Sequence, residues 1–165
     1  MHFRLIFIYV FVLLVSIPQS VMAQTKVSNL FRKYRNDEGV KHMNLAGDIT
    51  KMLQSKNENL QSKIEEMHVY IFSKNNSMSV ADKAKLDLAK TGDGYESIFQ
   101  TREKGSHVEL YGIENAGKTT HLFAELNSGE MQIYLILTGN ILFSELSKMN
   151  FDFEGAHVLK KIAVP

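Results

Sequence analysis

The segment YESIFQTREKGSHVELYGIENAGKTTHLFAELNSGEMQIYLILT, Tyr95 to Thr138, decides the fold. Apolar and polar residues alternate with a period of two in four runs: Tyr95 to Arg102, His107 to Ile113, Thr119 to Leu126 and Met131 to Thr138. That period places successive side chains on opposite faces of a strand. The runs are separated by Glu103-Lys104-Gly105, Asn115-Ala116-Gly117 and Asn127-Ser128-Gly129, where Gly and Asn accept the positive φ of a tight turn. Links this short join antiparallel neighbours, so the segment predicts a four-strand meander.

Upstream, Ser79-Val80-Ala81-Asp82 has capping-box spacing with the shorter Asp in place of Glu, and opens a small-residue helix through about Ala89 that Thr91-Gly92-Asp93-Gly94 closes. Met67, Val69 and Ile71 alternate with His68, Tyr70 and Phe72, apolar on both faces as in a central strand. Val27, Leu30, Phe31 and Tyr34 recur at i, i+3, i+4 and i+7, an amphipathic helix over 26–36 with Gly39 as its stop. Residues 40–46 read as a short strand, and Asp48 as the N-cap of a helix with Ile49, Met52 and Leu53 on one side. Leu60 and Ile64 extend helical spacing. Downstream, Gly139-Asn140 leads into a last helix bearing Leu142, Leu146 and Met149. Residues 151–165 carry Phe151, Phe153, Val158, Ile162 and Val164, and their pattern fits an edge strand or a loose tail. Chain ends are often poorly tied down, so this stretch is expected to matter less to folding than the helix before it. The order implies an α+β domain, a mostly antiparallel sheet with a C-terminal four-strand meander and helices packed on one face.

The 165 residues begin with MHFRLIFIYVFVLLVSIPQSVMA, which has the layout of a secretory signal. Arg4 is the charged n-region, Leu5 to Val15 the apolar h-region, and Val21-Met22-Ala23 the small-residue site, with cleavage expected after Ala23. An apolar run of 11 residues falls short of the roughly 20 that span a bilayer as a helix. The mature chain would be one domain over 24–150 followed by the tail, in a periplasm or outside the cell. Without Arg4 it holds 18 basic and 18 acidic residues. That balance argues against nucleic acid or an anionic membrane surface as partner. Cysteine is absent, so burial rather than disulfides must hold the fold, and no thiol is present for a lipid anchor after the cut.

The layout resembles the DUF4252 family of exported proteins of Bacteroidetes over roughly residues 27–150. The resemblance rests on Leu30-Phe31-Arg32-Lys33-Tyr34, on Gly39-Val40 at the start of the first strand, and on Ile133-Tyr134-Leu135-Ile136-Leu137-Thr138-Gly139-Asn140-Ile141 followed by Leu146. Many members look like lipoproteins; this chain departs from them in lacking the Cys. The family has no established activity, so the resemblance implies a placement and no mechanism.

Gly112-Ile113-Glu114-Asn115-Ala116-Gly117-Lys118-Thr119 satisfies the Walker A pattern at every position. A working P-loop needs a helix to begin at its Lys-Thr, so that successive amides and the Lys ammonium meet phosphate. Here the residues after Thr119 have strand periodicity, only 46 of them remain, and Asp152, the acid that would hold magnesium, lies in the tail. Export would also separate the protein from nucleotide. Gly112, Gly117, Lys118 and Thr119 are therefore read as a hairpin that imitates the motif, with no cofactor bound. His42, His68, His107, His121 and His157 have no recognised ligand spacing and read as sheet histidines, with no metal. Glu65 and Glu66 precede the second strand and read as a helix-end charge run; adjacent carboxylates on a strand would face opposite ways, a poor geometry for acid/base work. No GxSxG elbow and no thiol supply a nucleophile.

The expected function is a non-catalytic binding or interaction module of the cell envelope, with a protein, peptide or small molecule as partner. The alternatives are a small-molecule carrier, which would need a pocket of about 300 Å³ between helices and sheet, and an enzyme built on the P-loop pattern or on dispersed histidines and acids.

Overall fold

A computed structural model describes residues 24–54, 59–103, 105–156 and 159; the signal and its cut, His157, Val158, Ile162 and Val164 lie outside the described residues. The order is α1 (Lys26–Phe31), a 3-10 turn (Arg32–Asn36), β1 (Val40–Ala46), α2 (Thr50–Leu53), β2 (Lys63–Ser73), α3 (Val80–Asp93), β3 (Glu96–Glu103), β4 (Ser106–Asn115), β5 (Lys118–Asn127), β6 (Met131–Ile141) and a second 3-10 turn (Phe143–Lys148). The six strands form one antiparallel sheet in the order β1-β2-β6-β5-β4-β3. The meander β3 to β6 is thus present, and the hairpin β1-β2 adds to its β6 edge.

Helices α1 and α3 lie on one face, over a cluster that includes Phe31, Tyr70, Phe72, Leu86, Phe123, Tyr134 and Ile136. Tyr34 joins it because the helix tightens to 3-10 after Phe31, and in that geometry residues three apart eclipse. Its ring meets Phe72 edge-on at 4.9 Å and its hydroxyl donates to Asp82 at 2.6 Å. Asp82 also accepts from Lys33 and from the Ser79 hydroxyl, while the Ser79 oxygen caps α3 by accepting from the Asp82 amide. Lys33 and Tyr34 hold the Asp82 carboxyl far below the ordinary carboxylate range. With the folded value depressed, its contribution is complete above that range and is lost as pH falls through the folded value. Asp82→Asn is expected to lower stability by about 1–3 kcal/mol at neutral pH, and acid denaturation of the two proteins should converge; a difference that persists at low pH would assign the loss to packing.

The opposite face is covered as well, by pieces too short for sequence periodicity to resolve. Ile49 and Leu53 of the α2 turn, Leu146 and Met149 at the second 3-10 turn, and Phe151, Ala156 and Leu159 pack on Val69, Ile71, Leu110, Leu122, Leu135 and Leu137. Several expectations are corrected here. Asp48 caps nothing: Ile49 holds the N-cap position of α2 without a side-chain bond, and Met52 is 65% exposed. A single turn brings the apolar i, i+4 pair Ile49 and Leu53 inward together with Thr50 and leaves Met52 outside. Ile64 belongs to β2, where its amide donates to Thr50 Oγ1 at 2.8 Å. The α3 helix runs four residues past Ala89, its last turn fastened by the Val27 amide donating to Asp93 at 2.9 Å. Gly139-Asn140 continues β6, and the expected last helix is only the 3-10 turn. A side chain at 139 would strike the Lys63 carbonyl, 2.1 Å from an ideal Cβ, so glycine lets β2 approach at the bulge between Ile64 and Glu66. Among the described residues the tail is neither an edge strand nor loose: Phe151 is 5% exposed.

Candidate functional site

Strand register brings a block of polar side chains together under α3. His107, Asn127 and Gln132 are cross-strand partners on β4, β5 and β6, and the adjacent row is Gln100, Glu109, Glu125 and Tyr134. Both rows point to the helix side, because residues two apart on a strand share a face. From above, Lys90 of α3 reaches down to Glu125 at 2.6 Å and back to Asp87 at 3.0 Å, with its ammonium 4.3 Å from the Tyr111 ring centre. The Tyr111 hydroxyl donates to Glu109, which also accepts from Gln100 and contacts His107 Nε2, each at 2.8 Å.

Burial sets the electrostatics. It opposes the Lys90 ammonium, but the bonds to Glu125 and Asp87 outweigh it and hold the pKa above the lysine range. Burial raises the Glu125 pKa, and Lys90 offsets this without cancelling it. At Glu109 burial is outweighed by the bonds from Tyr111 and His107, which keep the carboxyl below its ordinary value. Tyr111 is pushed up to about 12 by burial and by its bond to Glu109. The result is an ionised Lys90–Glu125 pair beside a second, hydrogen-bonded carboxylate.

Next to this network a cleft of about 130 Å³ opens to solvent between Lys83 on α3 and the sheet residues His107, Glu125, Asn127, Gln132 and Tyr134. Two polar atoms of its lining, His107 Nδ1 and Gln132 Oε1, are buried without a protein partner. Sequence reading names His107 only as one of several scattered histidines and misses the rest. The signal present in the sequence is the pair Glu109 and Glu125, each followed two residues away by an aromatic or another polar group on the same face of its strand.

The other histidines are partly gathered. His42 Nε2 and His68 Nδ1 lie 3.2 Å apart, His68 Nε2 contacts Glu66 at 2.8 Å, and His42 stacks on Tyr70 at 4.5 Å. Burial, then His68 and Arg35, lower the His42 pKa; burial lowers that of His121. Arg35, Glu66, His68, His121 and Thr138 line a second cavity of about 40 Å³. No three His, Asp or Glu side chains among the described residues are grouped to hold a metal ion. Glu65 and Glu66 lie within β2 and not at a helix end; Glu65 pairs with Lys63 at 3.5 Å while Glu66 turns to His68, so the two carboxylates diverge.

Gly112 to Thr119 forms a hairpin. Asn115 pairs with Lys118 across the two-residue turn Ala116-Gly117, whose φ values are +51° and +74°, both positive as a type I′ turn requires. Lys118 is exposed at the first position of a strand and Thr119 is buried at the start of that interior strand, β5. Lys118→Ala is expected to change stability by no more than about 0.5 kcal/mol. Saturating Mg-ATP or Mg-GTP is expected to leave the melting temperature unchanged, where a ligand at about 100 times its Kd would add roughly 2.7 kcal/mol. A stabilisation that disappears in Lys118→Ala would restore the nucleotide reading.

Comparison with curated proteins finds no match, and comparison with solved structures finds none either. A family model, the domain of unknown function DUF4252, matches residues 34–149, which runs from the Tyr34 anchor to the Met149 end of the second 3-10 turn and takes in every strand of the sheet. By that match the chain belongs to the DUF4252 family.

Proposed function

We propose that the chain is an exported, non-catalytic binding module of the cell envelope, and that the cleft beneath α3 is where it takes its ligand. The observation that carries the reading is a solvent-open cleft of about 130 Å³ walled by the polar side chains of Lys83, His107, Glu125, Asn127, Gln132 and Tyr134. Three further features favour binding over catalysis and over carriage of an apolar molecule. Glu125 is clamped by Lys90, and Glu109 is occupied by Gln100, His107 and Tyr111, so neither carboxylate is poised for proton transfer. The cavities of about 130 and 40 Å³ between helix layer and sheet are small for an apolar cargo, and the larger groove of about 390 Å³ beside Leu30, Leu88 and Ala89 lies open between α1 and α3 and not between helices and sheet. The remaining interior is filled by two side-chain clusters.

Export rests on the signal layout of residues 1–23 and is checked by intact mass, which should correspond to a chain beginning at Gln24 in the exported fraction. The site is checked by thermal shift against a collection of small polar compounds and peptides, comparing the wild type with Gln132→Leu. A compound that raises the melting temperature of the wild type alone supports the cleft. Equal effects on both proteins, or none on either, would remove it as the ligand site.

A further inference from the structure

We propose that His42 and His68 form an acid-released latch on β1, the edge strand of the sheet: a single hydrogen between their rings fastens β1 to β2, and protonation of both rings breaks the contact and lets that edge open. The register of the hairpin pairs His42 with Tyr70 and Asn44 with His68, which makes the two histidines diagonal neighbours on one face. His42 Nε2 and His68 Nδ1 are 3.2 Å apart, the ring centres are 5.5 Å apart, and the planes lie within 14° of parallel. The centres exceed the nitrogens in separation by the full radius of both rings. The imidazoles therefore meet end to end in nearly one plane, nitrogen facing nitrogen. A gap of this length holds one hydrogen, donated by one ring and accepted by the other, whichever tautomers they take. When both rings are doubly protonated, two N–H donors face each other with no acceptor between them.

The surroundings do not offset the added charge. On β2, Glu66 Oε1 meets His68 Nε2 at 2.8 Å, and the Tyr70 ring stacks on His42 at 4.5 Å. Arg35 of the first 3-10 turn bonds to Tyr70 and its charge acts on His42. His121 of β5 shares the cavity of about 40 Å³ with Arg35, Glu66 and His68, and Asp93 at the end of α3 acts on His121. The groups that α1 and β6 bring to that cavity, Ser28 and Thr138, carry no charge. Two imidazolium rings would thus stand beside the Arg35 guanidinium with Glu66 as the carboxylate in contact, and the Glu66 side chain is 43% exposed and screened by water. Burial, then His68 and Arg35, hold the His42 pKa below the ordinary imidazole value. A group depressed in this way contributes stability that is complete above that value, about 6.5, and is lost as pH falls from it through the folded value.

β1 is the part that such a latch can move. It has a strand partner on one side only, and Val40 alone of its seven residues is buried. Elements with few buried contacts open locally at lower cost than the whole domain. The effect on that opening is bounded, since one extra proton taken up on opening multiplies it by at most about ten for each pH unit. What acid uncovers is the outer backbone edge of β2, which β1 otherwise pairs.

The test follows amide hydrogen exchange in the wild type, His42→Gln and His68→Gln at about pH 7.5 and about pH 5.5, on either side of the ordinary imidazole value. Glutamine keeps a donor and an acceptor and does not titrate, and comparing the proteins at one pH cancels intrinsic exchange. Relative to His42→Gln, the β1 amides of the wild type should exchange about tenfold faster at the lower pH than at the higher, while those of β5 and β6 keep one ratio. An unchanged ratio for β1 overturns the latch, as does acceleration spread evenly over all strands. His68→Gln should lose the dependence as well; if it keeps it, desolvation of His42 alone is the cause, and the paired latch is overturned. A second measurement needs no variant. In the wild type, ¹⁵N–¹⁵N coupling across the hydrogen bond between His42 Nε2 and His68 Nδ1 should be present at the higher pH and vanish as the His42 ring titrates. No coupling there, or coupling that outlasts that titration, overturns the proposal too.

Discussion

Cutting the chain after Asn150 is expected to abolish its cooperative thermal transition. The removed segment carries Phe151, Ala156 and Leu159, all buried in the cluster that covers the face of the sheet away from α1 and α3. Its path is anchored where it leaves the second 3-10 turn: Gln54 bridges Met149, and the Asn150 amide donates to the Leu53 carbonyl at 2.7 Å. From there it lies directly on the sheet, since a side chain at Gly155 would come within 2.2 Å of Ile133. Truncating one buried Phe to Ala typically costs about 3–5 kcal/mol, and a whole domain is stable by only about 5–15 kcal/mol. Losing Phe151 and Leu159 together, and exposing Leu135 and its neighbours, consumes most of that margin. The exposed Lys41–Glu154 ion pair adds little, because both groups are well solvated. Circular dichroism melts of the full chain, the truncation and Phe151→Ala measure the effect, with Phe151→Ala expected to retain a cooperative transition at lower temperature. A truncated chain that melts cooperatively within a few degrees of the full one would show that the tail is dispensable.

Lys90→Met is expected to destabilise the domain by about 3–5 kcal/mol, and Lys90→Met/Glu125→Leu to recover most of the loss. The ammonium and the carboxylate are 10% and 26% exposed and meet at 2.6 Å, so removing the cation leaves Glu125 desolvated and unpaired. The reverse change, Glu125→Leu, should cost less, because Lys90 keeps Asp87 at 3.0 Å on the exposed side. Urea denaturation of the four proteins closes a double-mutant cycle; additive single effects would mean that the pair is not coupled. The pH dependence gives a second readout. In Lys90→Met nothing opposes the burial that raises the Glu125 pKa, so the folded value lies above the unfolded one. A carboxyl shifted that way is tolerated while protonated, and stability is lost as pH rises from the ordinary carboxylate range through the folded value. The deficit of Lys90→Met should therefore shrink in acid and be full at neutral pH.

The parts of this fold that the sequence alone determines are those set by neighbours along the chain. Alternation in Tyr95 to Thr138 specifies four strands and their two faces, and Asn115-Ala116-Gly117 places the turn that makes the P-loop pattern a hairpin, narrowed in the structure to Ala116-Gly117. Ser79 and Gly94 mark the ends of α3, and the two-sided apolar run at Met67 to Phe72 marks β2 as interior. Where a local signal was weak, the fold overrode it. A helix written by Leu142, Leu146 and Met149 shrinks to a 3-10 turn because β6 continues through Gly139 to pair with β2 and β5.

Tertiary structure decided which faces are covered. Periodicity states that Glu109, Tyr111, Phe123 and Glu125 share a face, and two carboxylates there have the pattern of a solvated surface; only the descent of α3, 35 residues from Glu125 at Lys90, buries them and opposes them with a cation. The same holds for His42 and His68, separated by 26 residues and joined by the β1-β2 register, and for Phe151, whose short irregular segment has no period to read. A repeat of two or of 3.6 residues records how a chain folds against itself locally. The site is made by contacts whose partners are distant along the chain, and no spacing in the sequence encodes them.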